Sequence, residues 1–253
     1  MEKPNIDLFN NEELSKWSCI EKLNAGEDYL ISKFFLTESK ESKIVEAGCG
    51  GGRILLDLQK RGFKNLYGFD LAGHLLKSAE EKIKQLNLNI ALSKQNAVSL
   101  DYPDGFFDYA IYLQQIMSFI ESSDDRKRAI NECYRILKAG GRGIFSFLWW
   151  KGRAINFPLA ILKVLSRLAL KGDTKALKNF RNLPWLRLGG KTNLKWLIKE
   201  QPCAYWFRTD EVTALLTAPG FKILELISDR MIEEGKNGEL KNGGGLYVVV
   251  EKV

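Results

Sequence analysis

The stretch from Val45 to Arg53, VEAGCGGGR, constrains the fold of this 253-residue chain more than any other. A β-branched run, KIVEAG, leads into it; Gly48, Gly50 and Gly52 fall at alternate positions, and the helical run ILLDLQKRG follows. Residues without Cβ atoms let a ligand touch the backbone, and a helix start presents free N–H groups to an anionic group. Strand, glycine turn and helix in that order make the first half of a crossover between parallel strands. The dinucleotide fingerprint GxGxxG would want Gly or Ala at position 53, where this chain has Arg53.

The alternation continues. Five strands are expected, at 43–48, 65–70, 89–95, 106–113 and 142–149, with helices near 53–61, 74–86 and 124–138. The last helix is expected to end in a left-handed glycine cap at Lys138-Ala139-Gly140-Gly141. Towards the end of the chain, FRTDEVTALL predicts a helix with Thr209 as N-cap, stopped by Pro219-Gly220. The runs FKILELIS (221–228) and GLYVVVEK (245–252) follow with no helix expected between them, so they predict an antiparallel pair at one edge of the sheet.

Composition narrows the class. Apolar residues are 45% and charged residues 27% of the chain, an ordinary globular balance. No apolar run is long enough to span a bilayer, and the opening residues lack the pattern of a signal peptide, so the expected location is the cytosol. Cys19, Cys49, Cys133 and Cys203 lie far apart, and His74 is the single histidine; reduced thiols and no metal are expected. Residues 151–205 stand out: they hold twelve Lys or Arg against Asp173 and Glu200, a net charge of +10 in a chain whose total is +7. The basic character belongs to this one segment.

Two further elements sharpen the glycine loop. Asp70 closes the second strand, where an acid can accept hydrogen bonds from both ribose hydroxyls. Gln95-Asn96-Ala97 follows the third strand, where an amide oxygen and a backbone N–H can read an adenine edge. With these residues in place, EAGCGGG, GFDLAGHLLKSAEEK, QNAVSLDYPDGFFDYAIY and RAINECYRILKAGGRGIFSF resemble the successive motifs of class I methyltransferases, in particular the type 11 branch. The resemblance implies an α/β, Rossmann-like, mostly parallel seven-stranded sheet in the order 3-2-1-4-5-7-6, with strand seven antiparallel and helices on both faces. It implies S-adenosylmethionine as cofactor. By position, Glu46 would stand near the methionine ammonium, and Gly48, Cys49 and Gly50, with Gly52 and Arg53 beyond them, would face the methionine and ribose. Asp70 would take the ribose, Leu71 would pack on adenine, Asn96 and Ala97 would read its edge, and Leu113 and Gln114 would line the cofactor from below.

The expected organisation is an N-terminal helical cap (1–42), a cofactor-binding core (43–150), a basic helical lid (151–205) and a C-terminal completion of the core (206–253). A sulfonium methyl is already electrophilic, so alignment and exclusion of water carry most of the catalysis. Gln114, Gln115 and Tyr205 are candidates near the reacting atoms, and no general base is assigned. His74 is read as an exposed residue at a helix start, and Cys49 as a packing residue. Lys163, Arg167 and Lys171 recur at helical spacing, and Trp149, Trp150, Lys163, Arg167 and Trp206 are the candidate substrate contacts, with core packing the alternative for the aromatic residues and a solvated helix face for the basic ones. Trp17 and Tyr29 are candidates to close over the cofactor, with core packing as the alternative. A small anionic or lipophilic acceptor is the first reading of the segment. Contact with an anionic membrane surface and RNA are the alternatives, the latter because LPW…YWFRTDEV…GLYVVVEK is loosely similar to wobble-uridine tRNA methyltransferases; a non-catalytic cofactor-binding scaffold is the fourth.

Overall fold

In a computed structural model the described residues are 22–35, 37–153, 157–172, 182–184, 203–235 and 245–253. Nine strands and eight helices of at least four residues run through them. The order is α1 (Ala25–Phe35), β1 (Lys43–Ala47), α2 (Arg53–Lys60), β2 (Asn65–Asp70), α3 (Gly73–Gln85), β3 (Ile90–Lys94), β4 (Phe107–Tyr112), α4 (Ile116–Phe119), α5 (Ser123–Ile136) and β5 (Leu137–Leu148). A 3-10 turn (Trp150–Arg153), α6 (Phe157–Lys171), β6 (Asn182–Pro184), β7 (Cys203–Tyr205), α7 (Thr209–Thr217), β8 (Phe221–Ser228), α8 (Asp229–Glu233) and β9 (Gly245–Lys252) complete it.

Seven strands form one sheet in the order β3-β2-β1-β4-β5-β9-β8. Numbered within the sheet, that is the expected 3-2-1-4-5-7-6. The first five are parallel, and β9 runs antiparallel to both β5 and β8. β1 and β9 are buried along most of their length, even at Glu46, because both faces of the sheet are covered. One face packs against α5 and α7 through Ala129, Ile130, Cys133, Ile136, Val212 and Leu216. The other packs against α1, α2, α3 and α8 through Leu30, Phe35, Leu55, Leu58, Leu76 and Met231. The strands' C-terminal ends are therefore left as one open edge, which is where a doubly covered parallel sheet offers a crevice.

Four local expectations need correction. The helix before β5 ends at Ile136, and Lys138-Ala139-Gly140-Gly141 lies inside β5. There Gly140, at φ 74°, sits in a bulge where the pairing jumps from Phe107–Leu137 to Tyr109–Arg142. Thr209 is the first helical residue of α7, not its cap: the Arg208 N–H donates to Glu211 Oε2 (2.9 Å), and Thr209 Oγ1 accepts from Trp149 Nε1 (3.0 Å). A short helix, α8, stands between β8 and β9. The described part of the basic segment is not all helix, since β6 and β7 pair antiparallel within it. No described helix is long and apolar enough to cross a membrane, and no described cluster of His, Cys, Asp or Glu could hold a metal ion.

Candidate active site

The left-handed glycines fall where the alternating pattern requires them. Gly48, Gly50 and Gly52 have φ of 61°, 50° and 78°, and Gly52 is the N-cap of α2. The turn is held by Asp70. Its Oδ2 accepts from Gly50 N (2.9 Å) and its Oδ1 from Ala72 N (2.8 Å). Burial pushes the Asp70 carboxyl up, and the backbone N–H groups of Ala72 and Gly50 pull it back down.

Facing the glycine turn is the exit of β4. Gln114 and Gln115 both have φ of 58°, two consecutive non-glycine residues in a left-handed conformation. The conformation is pinned from behind. Gln115 N donates to Ser146 Oγ (2.8 Å), and Leu148 N donates to Ser118 Oγ (2.9 Å), so α4 is tied to the end of β5. Ile116 rests directly on Gly48, where an added Cβ would stand 2.2 Å from Ile116 Cδ1. The two turns thus form opposite lips of one cleft.

That cleft encloses about 570 Å³. Of the residues anticipated around a cofactor, Gly48, Cys49, Gly50, Arg53, Asp70, Leu71, Asn96, Ala97 and Gln114 line it. Leu71 is 39% exposed, an apolar surface turned outward at the cleft's edge. Asn96 Oδ1 accepts from Val98 N (3.2 Å) and so shapes its own turn. Cys49 is buried, and burial raises its thiol well above the usual range, as a packing residue requires.

Three anticipated residues lie outside the lining. Gly52 and Leu113 are set behind it, and Glu46 is buried under the turn, its Oε2 without a hydrogen-bond partner among the described residues. Burial, together with the Glu27 carboxylate, pushes Glu46 well up while Arg53 opposes. Glu27, from α1, is itself buried and ion-paired with Arg53, which also donates to the Lys22 carbonyl (2.8 Å). The N-terminal helix is thereby fastened to the cleft, a link that α1's sequence did not announce.

The far wall was also missed. Ile116, Phe119, Ile120, Glu121, Asp125 and Arg128 line the cleft from α4 and the start of α5. The available signal was the break from IMSFI into ESSDD, where Ser122 Oγ caps α5 by accepting from Asp125 N (3.1 Å).

The tryptophan and tyrosine candidates move away from the cleft. Trp149 is fully buried in the core, Trp206 is buried, and neither lines it. Trp150 begins the 3-10 turn, its N–H donating to the Phe207 carbonyl (2.8 Å). Tyr205 donates to Glu211 Oε1 (3.1 Å), away from the cleft, and Gln115 also stands behind the lining. Large aromatic side chains satisfy the core before they serve a surface, which is why their pattern misled. His74 is the second residue of α3 but half-buried, with Nε2 enclosed, rather than exposed. Tyr29 reaches Glu225 (3.4 Å) across to β8. Lys163 and Arg167 are on α6, but their side chains lie outside the described residues, as does Trp17.

Residues 45–145 match the family model described as a methyltransferase domain. The match covers under half of the chain and supports a methyltransferase domain of the type 11 branch over that stretch. It is 36% identical over 131 residues to a ubiquinone biosynthesis O-methyltransferase of Methylococcus capsulatus, covering 51% of this chain and 53% of that one. It is 35% identical over 78 residues to a demethylmenaquinone methyltransferase of Anoxybacillus flavithermus, covering 30% and 31%. The chain thus spans about half the length of the first relative and under a third of the second. Among solved structures, a SAM-dependent methyltransferase from Methanosarcina mazei has a TM-score of 0.66 at 21% identity, over 87% of this chain and 97% of that one. An S-adenosylmethionine-dependent methyltransferase from Clostridium acetobutylicum has 0.65 at 16%, over 91% and 92%. These two likenesses bear on the fold.

Both of those solved proteins are named as S-adenosylmethionine-dependent. The residues around this cleft would suit such a cofactor: a buried carboxylate at Asp70, an apolar platform at Leu71 and an open glycine backbone at Gly50 are all present.

Proposed function

We propose that the protein transfers a methyl group from S-adenosylmethionine to a small-molecule acceptor, within the cleft between the Gly48–Gly52 turn and the Gln114–Ile116 turn. The observation that carries this reading is their apposition, with Asp70 clamped to one turn and Gln114 reaching the cleft from the other. Asp70 holds the ribose hydroxyls, Leu71 packs on adenine, Asn96 and Ala97 read the adenine edge, and the Gly48–Gly50 backbone faces the methionine portion. The bound cofactor supplies a methyl group already activated on a positive sulfur. What the protein must add is orientation and dryness: a fixed line between sulfur and nucleophile, and a cleft emptied of water.

Gln114 fits the orienting role, because its backbone is strained and its side chain reaches the cleft. The names of the matched relatives, a ubiquinone biosynthesis O-methyltransferase and a demethylmenaquinone methyltransferase, support a small acceptor. The 151–205 segment is proposed to cover the acceptor, as a lid whose apolar interior sets specificity. The test is transfer of labelled methyl groups into fractionated extract, with small molecules, lipids and RNA separated. Label in a small-molecule fraction supports the proposal; label confined to RNA, or none in any fraction, overturns it.

A further inference from the structure

Arg126 carries a charge into the protein interior without any role in the reading above. It is 6% exposed, on the second turn of α5, and burial lowers its pKa. Burying a guanidinium is costly unless its donors and its charge are met. Here its Nη1 donates to the backbone carbonyls of Ile120 (2.8 Å) and Glu121 (3.0 Å). Its Cζ lies over the Tyr205 ring, 4.1 Å from the ring centre, and 5.7 Å from the centre of the Phe207 ring. Ile120 and Glu121 line the cleft. Tyr205 ends β7, the strand on which the chain returns from the 151–205 segment.

We infer that Arg126 is a positioning residue that locks the Phe119–Glu121 wall of the cleft to the return strand of the basic segment, through its stack on Tyr205. The inference rests on the cleft being the cofactor site. Two requirements coincide in it. The short helix α4 ends at Phe119, and the wall beyond it has two adjacent carbonyls that a single guanidinium nitrogen, Nη1, gathers. The charge left over is met by aromatic faces that belong to another element and, through space, by the carboxylates of Glu211 and Asp125. Tyr205 therefore acts at a distance from the methyl group: it holds the arginine that holds the wall.

The experiment compares the whole chain with Tyr205→Phe, Tyr205→Leu and Arg126→Lys, using S-adenosylhomocysteine calorimetry and amide hydrogen exchange without ligand. Tyr205→Phe keeps the ring and is expected to match the unsubstituted protein in both. Tyr205→Leu is expected to weaken S-adenosylhomocysteine binding ~3- to 30-fold and to speed exchange at residues 116–121, leaving β1 and β2 protected. Arg126→Lys, which loses the planar guanidinium over the Tyr205 ring, is expected to shift both in the same direction. Unchanged binding and exchange in Tyr205→Leu would overturn the inference, as would an equal loss in Tyr205→Phe, since that would assign the effect to the hydroxyl on Glu211. A protein that never binds S-adenosylhomocysteine would contradict the cofactor reading instead, and the exchange comparison would still decide whether Arg126 positions the wall.

Discussion

Two turns face each other across the cleft, and they reach the same left-handed backbone by opposite means. The Gly48–Gly52 turn uses glycine at each such position, where the conformation is free of steric cost. The Gln114–Gln115 turn uses side-chain-bearing residues, at a cost of order 1 kcal/mol or more each. The difference shows what each lip supplies. The first presents backbone, so side chains are absent; the second presents a side chain, so the strain is tolerated and pinned by Ser146 and Ser118.

The largest effect is expected from breaking the glycine lip. Gly48→Ala forces an L side chain into φ 61° and into Ile116, and is expected to lower stability by ~2 to 4 kcal/mol in urea unfolding. Adding Ile116→Ala should recover part of that loss. A double variant no better than Gly48→Ala would show that backbone strain alone is responsible.

Beneath the same lip, Glu46 gives a pH signature. Its carboxyl is raised in the folded state, so between the ordinary glutamate range and that higher value the native protein binds one more proton than the unfolded chain. Stability must then fall as pH rises through this window, by at most about 1.4 kcal/mol per pH unit. Glu46→Gln is expected to flatten that slope, measured by urea unfolding from acid to neutral pH; an identical slope would remove Glu46 as its source.

The glutamine lip should behave in the reverse way to the glycine lip. Gln115→Gly and Gln114→Gly are each expected to gain ~0.5 to 1 kcal/mol by relieving φ 58°. Only Gln114→Gly is expected to lower methyl transfer, because only Gln114 lines the cleft. Equal activity in both variants would mean that the strained turn serves packing alone.

The contrast between the lips also explains what could be read in the residues. Alternate glycines between a strand and a helix announce their own backbone, and Asp70 at the next strand end follows from the same unit, so the glycine lip and the strand order were legible. Nothing in the letters Gln-Gln implies a left-handed turn, which depends on Ser146 from another strand. Arg126 was equally silent, its partners being carbonyls six and five residues earlier and a ring far along the chain. Gly140-Gly141 misled because a left-handed glycine after a helix suits a cap and a bulge alike, and tertiary pairing with β4 chose the bulge. Trp149 and Trp206 misled because aromatic enrichment does not distinguish a core from a pocket.

The central claim is that the cleft holds the cofactor through Asp70, and calorimetry with S-adenosylhomocysteine tests it most directly. The unsubstituted protein is expected to bind, and Asp70→Ala to bind more weakly by about 1 to 3 kcal/mol through loss of charge-assisted hydrogen bonds to the ribose. Equal affinity in a folded Asp70→Ala protein, or no binding in the unsubstituted one, would contradict it.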